Sequence, residues 1–461
     1  MRRRIGAGRA GAVSMAMAGM TPGMARAHAS EQGFVLLLPT DVYISAGGAS
    51  VALTIILLAV LPERMARGLF RPLRLWPVKN LNIRHGSSLM SMAVLLALVA
   101  AGWGGSRDPL GNPLPLTIWV VWWMGMVTWE GVFGGLWRRL NPWTGAGWLL
   151  AQLGRRRVPL RYPRSLGHWP AVAGLLGFGA FLLADPAPAD PARLALIVGL
   201  YWLGTLILLL LFGVKWLYYG EFVTVLMRQY GRLALLGRSA GRQGMGLPGW
   251  QWMRRGGVGA SAAIFALLLL GTGSFDGLNE TFWWFGVLGL NPLEFSGRSA
   301  VIGSNLAGLI GANLILVAAF VAALALGLRL AGGGVGIRRA LGVFAPSILP
   351  IALAYHIAHY LPSFLVDGQY VLARISDALG GPHMHVTAGF LNTPGPVRVI
   401  WLCQAGVVVL GHVVAILMAH VMALRLMGGH RRAVVSQLPL ALFMLGYTVF
   451  GLWLLASPRA G

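Results

Sequence analysis

The stretch Ala354-Tyr355-His356-Ile357-Ala358-His359-Tyr360 lies inside the apolar run 341–366. A run of about 20 apolar residues specifies a membrane-spanning helix. An ionisable side chain within such a helix is costly unless it is paired, wetted or metal-bound, so it marks a functional site by default. The next apolar run, 400–424, carries His412 and His420. Four histidines on two consecutive spans make metal or proton chemistry inside the membrane the leading question.

Outward from this pair, eight more runs have the length and apolarity of a span: 43–61, 88–104, 116–136, 167–184, 194–214, 258–270, 306–326 and 435–456. The expected architecture is an all-α polytopic membrane bundle of about ten helices. The composition agrees, with 57% hydrophobic and only 11% charged residues, where soluble domains carry roughly a quarter charged. The net charge of +24 does not indicate nucleic acid. Of the 37 Lys and Arg residues, 26 fall in the loops after the first, third, fifth, seventh and ninth runs. That alternation is the positive-inside pattern, and it places those loops in the cytoplasm and both mature termini outside. The expected address is the bacterial inner membrane, with any site near the outer face open to the periplasm or exterior.

The first residues resemble an export signal: Met1-Arg2-Arg3-Arg4, a short apolar core, then small-residue cleavage patterns ending at Ala27 and Ala29. The reading is a signal peptide over 1–29 and one transmembrane domain over 30–461. Cleavage after Ala27 makes His28 the N-terminus, where amine and imidazole together can chelate a transition metal. Two outside loops are long, 271–305 and 367–398, and long loops packed on a bundle are where sites tend to be built. Cys403 is the only cysteine, so no disulfide framework or thiolate site exists. Any metal must be held by nitrogen and oxygen ligands.

His356 and His359 are three apart and share a helix face. They lack the intervening Glu of a zinc-protease helix. With opposed span directions, Gln404 and His412 reach similar depth to this pair, whereas His420 lies roughly 12 Å deeper at 1.5 Å per residue. Glu130 is the one carboxylate well inside a span and sits at a depth suited to pairing with His412. His383 and His385 occupy an outside loop, where they complete a metal site from above or bind metal adventitiously. The plain alternative for each histidine is a hydrogen-bonded bundle side chain. No phosphate loop, nucleophile elbow or serine triad is present, and no internal repeat supports a transporter.

Several segments occur in a particular order. They are Asn141-Pro142-Trp143, then 160–171 (LRYPRSLGHWPA), then Gly271-Thr272-Gly273-Ser274-Phe275-Asp276-Gly277. After them come 354–360, Gly368-Gln369, Gln404, Gly411-His412-Val413 and Ala419-His420. This ordered set resembles the polytopic bacterial membrane proteins known as fenitrothion hydrolases, over about 141–424. The resemblance implies hydrolysis of organophosphate triesters, with Asp276, His359, Gln369, Gln404, His412 and His420 at family positions. Position 356 is not a fixed histidine in that pattern, which favours His359 with His412.

The implied chemistry is metal-assisted attack of water on phosphorus by a divalent transition metal. His359, His412 and His356 are its candidate ligands. Asp276 or Asp367 is ligand or base, and Gln404 orients substrate. The substrate is an apolar small molecule that partitions into the bilayer. The competing reading is an inner-membrane protein that handles or transports a metal such as copper through the histidine-lined bundle.

Overall fold

The computed structural model describes residues 35, 37–77, 84–152, 158–294 and 297–459. Residues 1–29, expected as a signal peptide, lie outside the described residues, His28 among them. In chain order the principal helices are α1 (Thr40–Val60), α2 (Arg84–Gly104), α3 (Val127–Val132), α4 (Trp169–Ala184), α5 (Pro191–Phe212) and α6 (Phe222–Tyr230). They continue with α7 (Ala260–Leu278), α8 (Ile302–Leu330), α9 (Leu349–Ala378), α10 (Pro394–Met427) and α11 (His430–Ala456). Among the described residues, eight of these, all but α3, α4 and α6, are long and apolar enough to cross a membrane. The chain is a multi-pass membrane protein. The other two expected spans are α4, which has 16 residues, and a π-helix, Leu116–Met126, that runs straight into α3.

Burial sorts the helices into centre and periphery. In their most apolar windows, 78% of α7 and 83% of the run Ile337–Ala378 are buried, against 11% of α2. α9 packs on α7 and α10, and α10 on α11, so α7 and α9 form the middle of the bundle. Leu200, Leu314, Ile315 and Leu442 point outward from the bundle, as lipid-facing side chains do. The α9–α10 seam is tight because Gly411 has no Cβ. A methyl there falls inside contact distance of Ala354 Cβ and 2.8 Å from Pro350 O, the small-residue logic of helix contacts in lipid.

Local chemistry sets the helix ends. Asp190 caps α5 by accepting from Arg193 N at 2.8 Å, with Pro191 at the first position. Glu221 caps α6 by accepting from Val223 N and Thr224 N, both at 2.7 Å. α10 stops at Gly428, whose φ of +69° is left-handed.

Two helices outrun the hydropathy pattern. α7 continues through Gly271-Thr272-Gly273-Ser274-Phe275-Asp276 to Leu278, and α9 continues to Ala378. Residues 271–278 and 367–378, expected as loop, are therefore helix. The polar residues that end the apolar window of α7 are buried against other helices, as Thr272, Ser274 and Asp276 all are. The face with the basic loops also holds a small antiparallel sheet absent from the sequence reading. It comprises β1 (Leu73–Pro77), β2 (Leu236–Ser239) and β3 (Arg242–Met245), in the order β1-β3-β2. Gly244 pairs with Arg74 on one side and Gly237 on the other. Ala240 and Gly241 turn the β2–β3 hairpin with φ of +50° and +75°.

Candidate functional site

Asp276 is held near the end of α7 farthest from the basic loops, and α9 brings two side chains onto it. Tyr360 Oη donates to Asp276 Oδ2 at 2.5 Å, and His359 Nε2 lies 3.2 Å from the same oxygen. Asp276 and His359 are both buried. A carboxylate there needs partners, and imidazole and phenol supply them. With Nε2–H donating to the carboxylate, Nδ1 keeps a free lone pair. His359 Nδ1 is buried with no hydrogen-bond partner, and so is Tyr355 Oη. The His359 and Tyr355 rings stack at 5.7 Å with 12° between planes. Both unpartnered atoms converge beside Gly277: a methyl there sits 3.7 Å from His359 Nδ1 and inside contact distance of Tyr355 Oη. Glycine at 277 is what lets these atoms reach the α7 backbone.

Polar contacts extend this centre sideways. Tyr447 Oη donates to Ser274 Oγ at 2.7 Å, tying α11 to α7. Asn313 Nδ2 donates to Thr272 Oγ1 at 3.2 Å, tying α8 to α7. Beyond the C-terminal end of α7, Arg459 Nη1 lies 3.9 Å from Glu280, and Phe282 N donates to Pro458 O at 2.9 Å.

The other candidates do not join this centre. His356 Nε2 faces the Trp123 carbonyl of the π-helix at 3.0 Å, with the Trp123 ring edge-on at 4.9 Å. His412 Nδ1 faces Val408 O, one turn back on its own helix, at 2.9 Å, while its Nε2 is buried without a partner. Gln404 Nε2 donates to Ala358 O at 2.7 Å and so fastens α10 to the His359 turn of α9. His420 sits toward the basic face beside Gln437 at 3.3 Å and the His430 ring at 6.2 Å. Among the described residues, no three His, Cys, Asp or Glu side chains gather as ligands would around one ion. The donor set around His359 is one imidazole, one carboxylate and two phenols, and the other candidate ligands, His356 and His412, do not join it.

Glu130 does other work than the expected pairing with His412. Its carboxylate accepts from Gly135 N at 3.2 Å, Leu136 N at 2.8 Å and Trp137 N at 3.0 Å. It is spent on the turn after α3. Gln369 is a clasp. Its amide donates to Thr387 O at 2.9 Å and accepts from Thr387 N at 3.0 Å, pinning the loop that carries His383 and His385 to α9. Those two rings lie 5.7 Å apart on the surface, with His383 Nδ1 3.6 Å from Asp377. Asp367 is half-buried on α9, beyond His359 along the helix.

A separate polar cluster lies at the basic face, where His168 of the segment 160–171 meets Arg228 and Tyr218. His168 Nε2 faces Arg228 Nη2 at 3.1 Å, and the Arg228 guanidinium lies 3.7 Å over the Tyr218 ring. Burial, then the charges of Arg228 and Arg232, hold His168 down at about 4. It is a neutral acceptor at physiological pH.

Searches against family models, curated proteins and solved structures find no match. The likeness to fenitrothion hydrolases therefore rests on the quoted residues. Sequence reasoning named Asp276 and His359 but did not weigh Tyr355, Tyr360, Ser274 or Tyr447. The first three lie inside the quoted motifs, so their polarity in an apolar context was the available signal. Tyr447 had none.

Proposed function

We propose that the protein is a membrane-embedded hydrolase of apolar phosphotriesters, with His359 as general base and Asp276 as the group that orients it. The reading is supported chiefly by one observation: His359 is bonded to a buried carboxylate on one side and has an unpartnered nitrogen on the other, beside an unpartnered phenol. In the proposed reaction, a substrate water gives its proton to His359 Nδ1 as its oxygen forms a bond to phosphorus. The P–O bond to the aryl group breaks, and the nitrophenolate leaves as the anion. The imidazolium formed is stabilised by Asp276, whose carboxylate Tyr360 also bonds. Tyr355 Oη donates to the attacking water or to the phosphoryl oxygen or sulfur. A nitrophenolate needs no strong acid to depart, and general-base catalysis alone is worth about 10²–10⁴ in rate. The substrate enters from the bilayer, on the exterior side of the bacterial inner membrane.

The test is turnover of nitrophenyl phosphotriesters by the purified protein and its His359→Ala and Asp276→Asn variants. Both are expected to lose about 10²-fold or more while reaching the membrane in normal amount. Unchanged turnover in His359→Ala defeats the proposal. Elemental analysis of the same preparations tests the metal-handling reading. A stoichiometric transition metal without turnover favours that reading instead.

A further inference from the structure

On the basic face, remote from Asp276, a cavity of about 700 Å³ is lined by Arg67, Arg71, Arg74, Arg254 and Arg425. These side chains come from four separate segments. Arg67 is on the short helix Glu63–Gly68, Arg71 and Arg74 lead into and lie on β1, Arg254 ends the turn Trp252–Arg254, and Arg425 is in the last turn of α10. Nothing local in the sequence groups them; the small sheet and the ends of α1 and α10 do. We propose that this cavity binds a phosphate group carried on a partly apolar molecule, the chemistry of an acidic phospholipid.

The charge balance motivates the ligand. Among the described residues, the ion pairs give a carboxylate to only one of the five: Glu63 pairs with Arg67. Three arginines are aimed by backbone carbonyls, which orient a guanidinium without neutralising it. Arg67 Nη2 donates to Leu424 O and Arg254 Nη1 to Arg238 O, each at 3.3 Å, and Arg425 Nη1 donates to Met253 O. The four guanidinium groups that these ion pairs leave without a carboxylate share one space and repel unless an anion enters. Guanidinium forks match phosphate oxygens in pairs.

The rest of the lining is largely apolar: buried Phe70 with Pro72, Leu73 and Met253. That floor suits a glycerol backbone or acyl chain better than bare phosphate. Trp76, exposed on β1, stands alongside as an interfacial anchor. The loop charges assign this face to the cytoplasm, whose leaflet holds the acidic lipids.

The experiment uses the full chain in phosphatidylcholine nanodiscs and detergent micelles. Retained phosphatidylglycerol is counted by native mass spectrometry, for wild type, Arg71→Gln/Arg74→Gln and Arg338→Gln/Arg339→Gln. The last pair lies on the same face outside the cavity. Loss of two near-surface basic groups is expected to weaken lipid retention about thirtyfold, with the 338/339 pair unchanged. Arg254→Gln alone is expected to give a several-fold drop. It keeps the question open to refutation if the double variant folds poorly.

Inorganic phosphate at millimolar concentration separates the sources. Lipid that persists against it identifies the headgroup as ligand. Displacement by phosphate, with stabilisation of wild type but not of Arg71→Gln/Arg74→Gln, identifies a soluble phosphate ester at the same arginines. Equal retention by wild type and the 71/74 variant, or an equal drop in the 338/339 variant, overturns the site.

Discussion

Replacing Gly277 with alanine pits one added methyl against the Tyr355 hydroxyl, and the outcome depends on what occupies residue 355. The new Cβ falls inside contact distance of Tyr355 Oη, 3.1 Å from Tyr355 Cζ and 3.7 Å from His359 Nδ1. Tyr355 is buried and stacked on His359, so it cannot swing aside without moving that imidazole off Asp276. Overpacking of this kind costs about 1–3 kcal/mol. Tyr355→Phe removes the offending oxygen, which has no hydrogen-bond partner to lose. The contact left is then the 3.1 Å one, which a shift of a few tenths of an ångström relieves.

In that background the helix propensity of alanine over glycine, about 1 kcal/mol, decides the sign. Gly277→Ala is thus expected to destabilise the wild type and to be neutral or stabilising when combined with Tyr355→Phe, a coupling of about 1–3 kcal/mol, because the propensity gain is common to both backgrounds and cancels. Equilibrium unfolding of the four proteins in mixed micelles, followed by tryptophan fluorescence, measures it. Equal destabilisation in both backgrounds refutes the placement of Tyr355 against Gly277, and with it the convergence at His359 Nδ1.

Three further outcomes follow from contacts elsewhere. Glu130→Ala strands three backbone N–H groups and is expected to cost about 1–3 kcal/mol in equilibrium unfolding; an unchanged unfolding midpoint contradicts the role of its carboxylate in the turn after α3. The native state holds His168 at about 4, below its ordinary 6.5. The unfolded chain therefore takes up a proton first, and stability falls as pH drops from 6.5 toward 4. His168→Gln is expected to flatten that part of a melting-temperature series, and coincident wild-type and variant slopes contradict it. Gln369→Ala unclasps Thr387 and is expected to speed protease cleavage within 380–388 several-fold, with cleavage elsewhere unaltered as the control.

The bundle was legible because apolar length and loop charge depend little on tertiary detail. Every expected run is mainly helical where described. What escaped was structure that only packing creates. Thr272, Ser274 and Asp276 read as the start of a loop, yet each finds a partner on a neighbouring helix, which is what lets α7 continue. The strands Leu236–Ser239 and Arg242–Met245 carry arginine and glycine rather than alternating apolar residues, so no period of two announced the sheet. At the site, Asp276 and His359 stood out as ionisable groups in apolar surroundings. Glu130 stood out for the same reason, and its depth in the span concealed the Gly134-Gly135 turn just beyond it. An ionisable residue in a span announces that it must have a partner, and only coordinates say whether that partner is a side chain or the backbone.

The π-helical stretch Leu116–Met126 has a corollary for how this segment tolerates change. In an α-helix each residue advances the azimuth by about 100°, whereas a wider coil advances it less, so tryptophans on either side of the stretch fall out of phase. Removing a position would change that winding and rotate the Trp123 carbonyl relative to His356. Substitutions that preserve length leave that alignment alone. Indels in 116–126 are therefore far more disruptive than any one side-chain exchange.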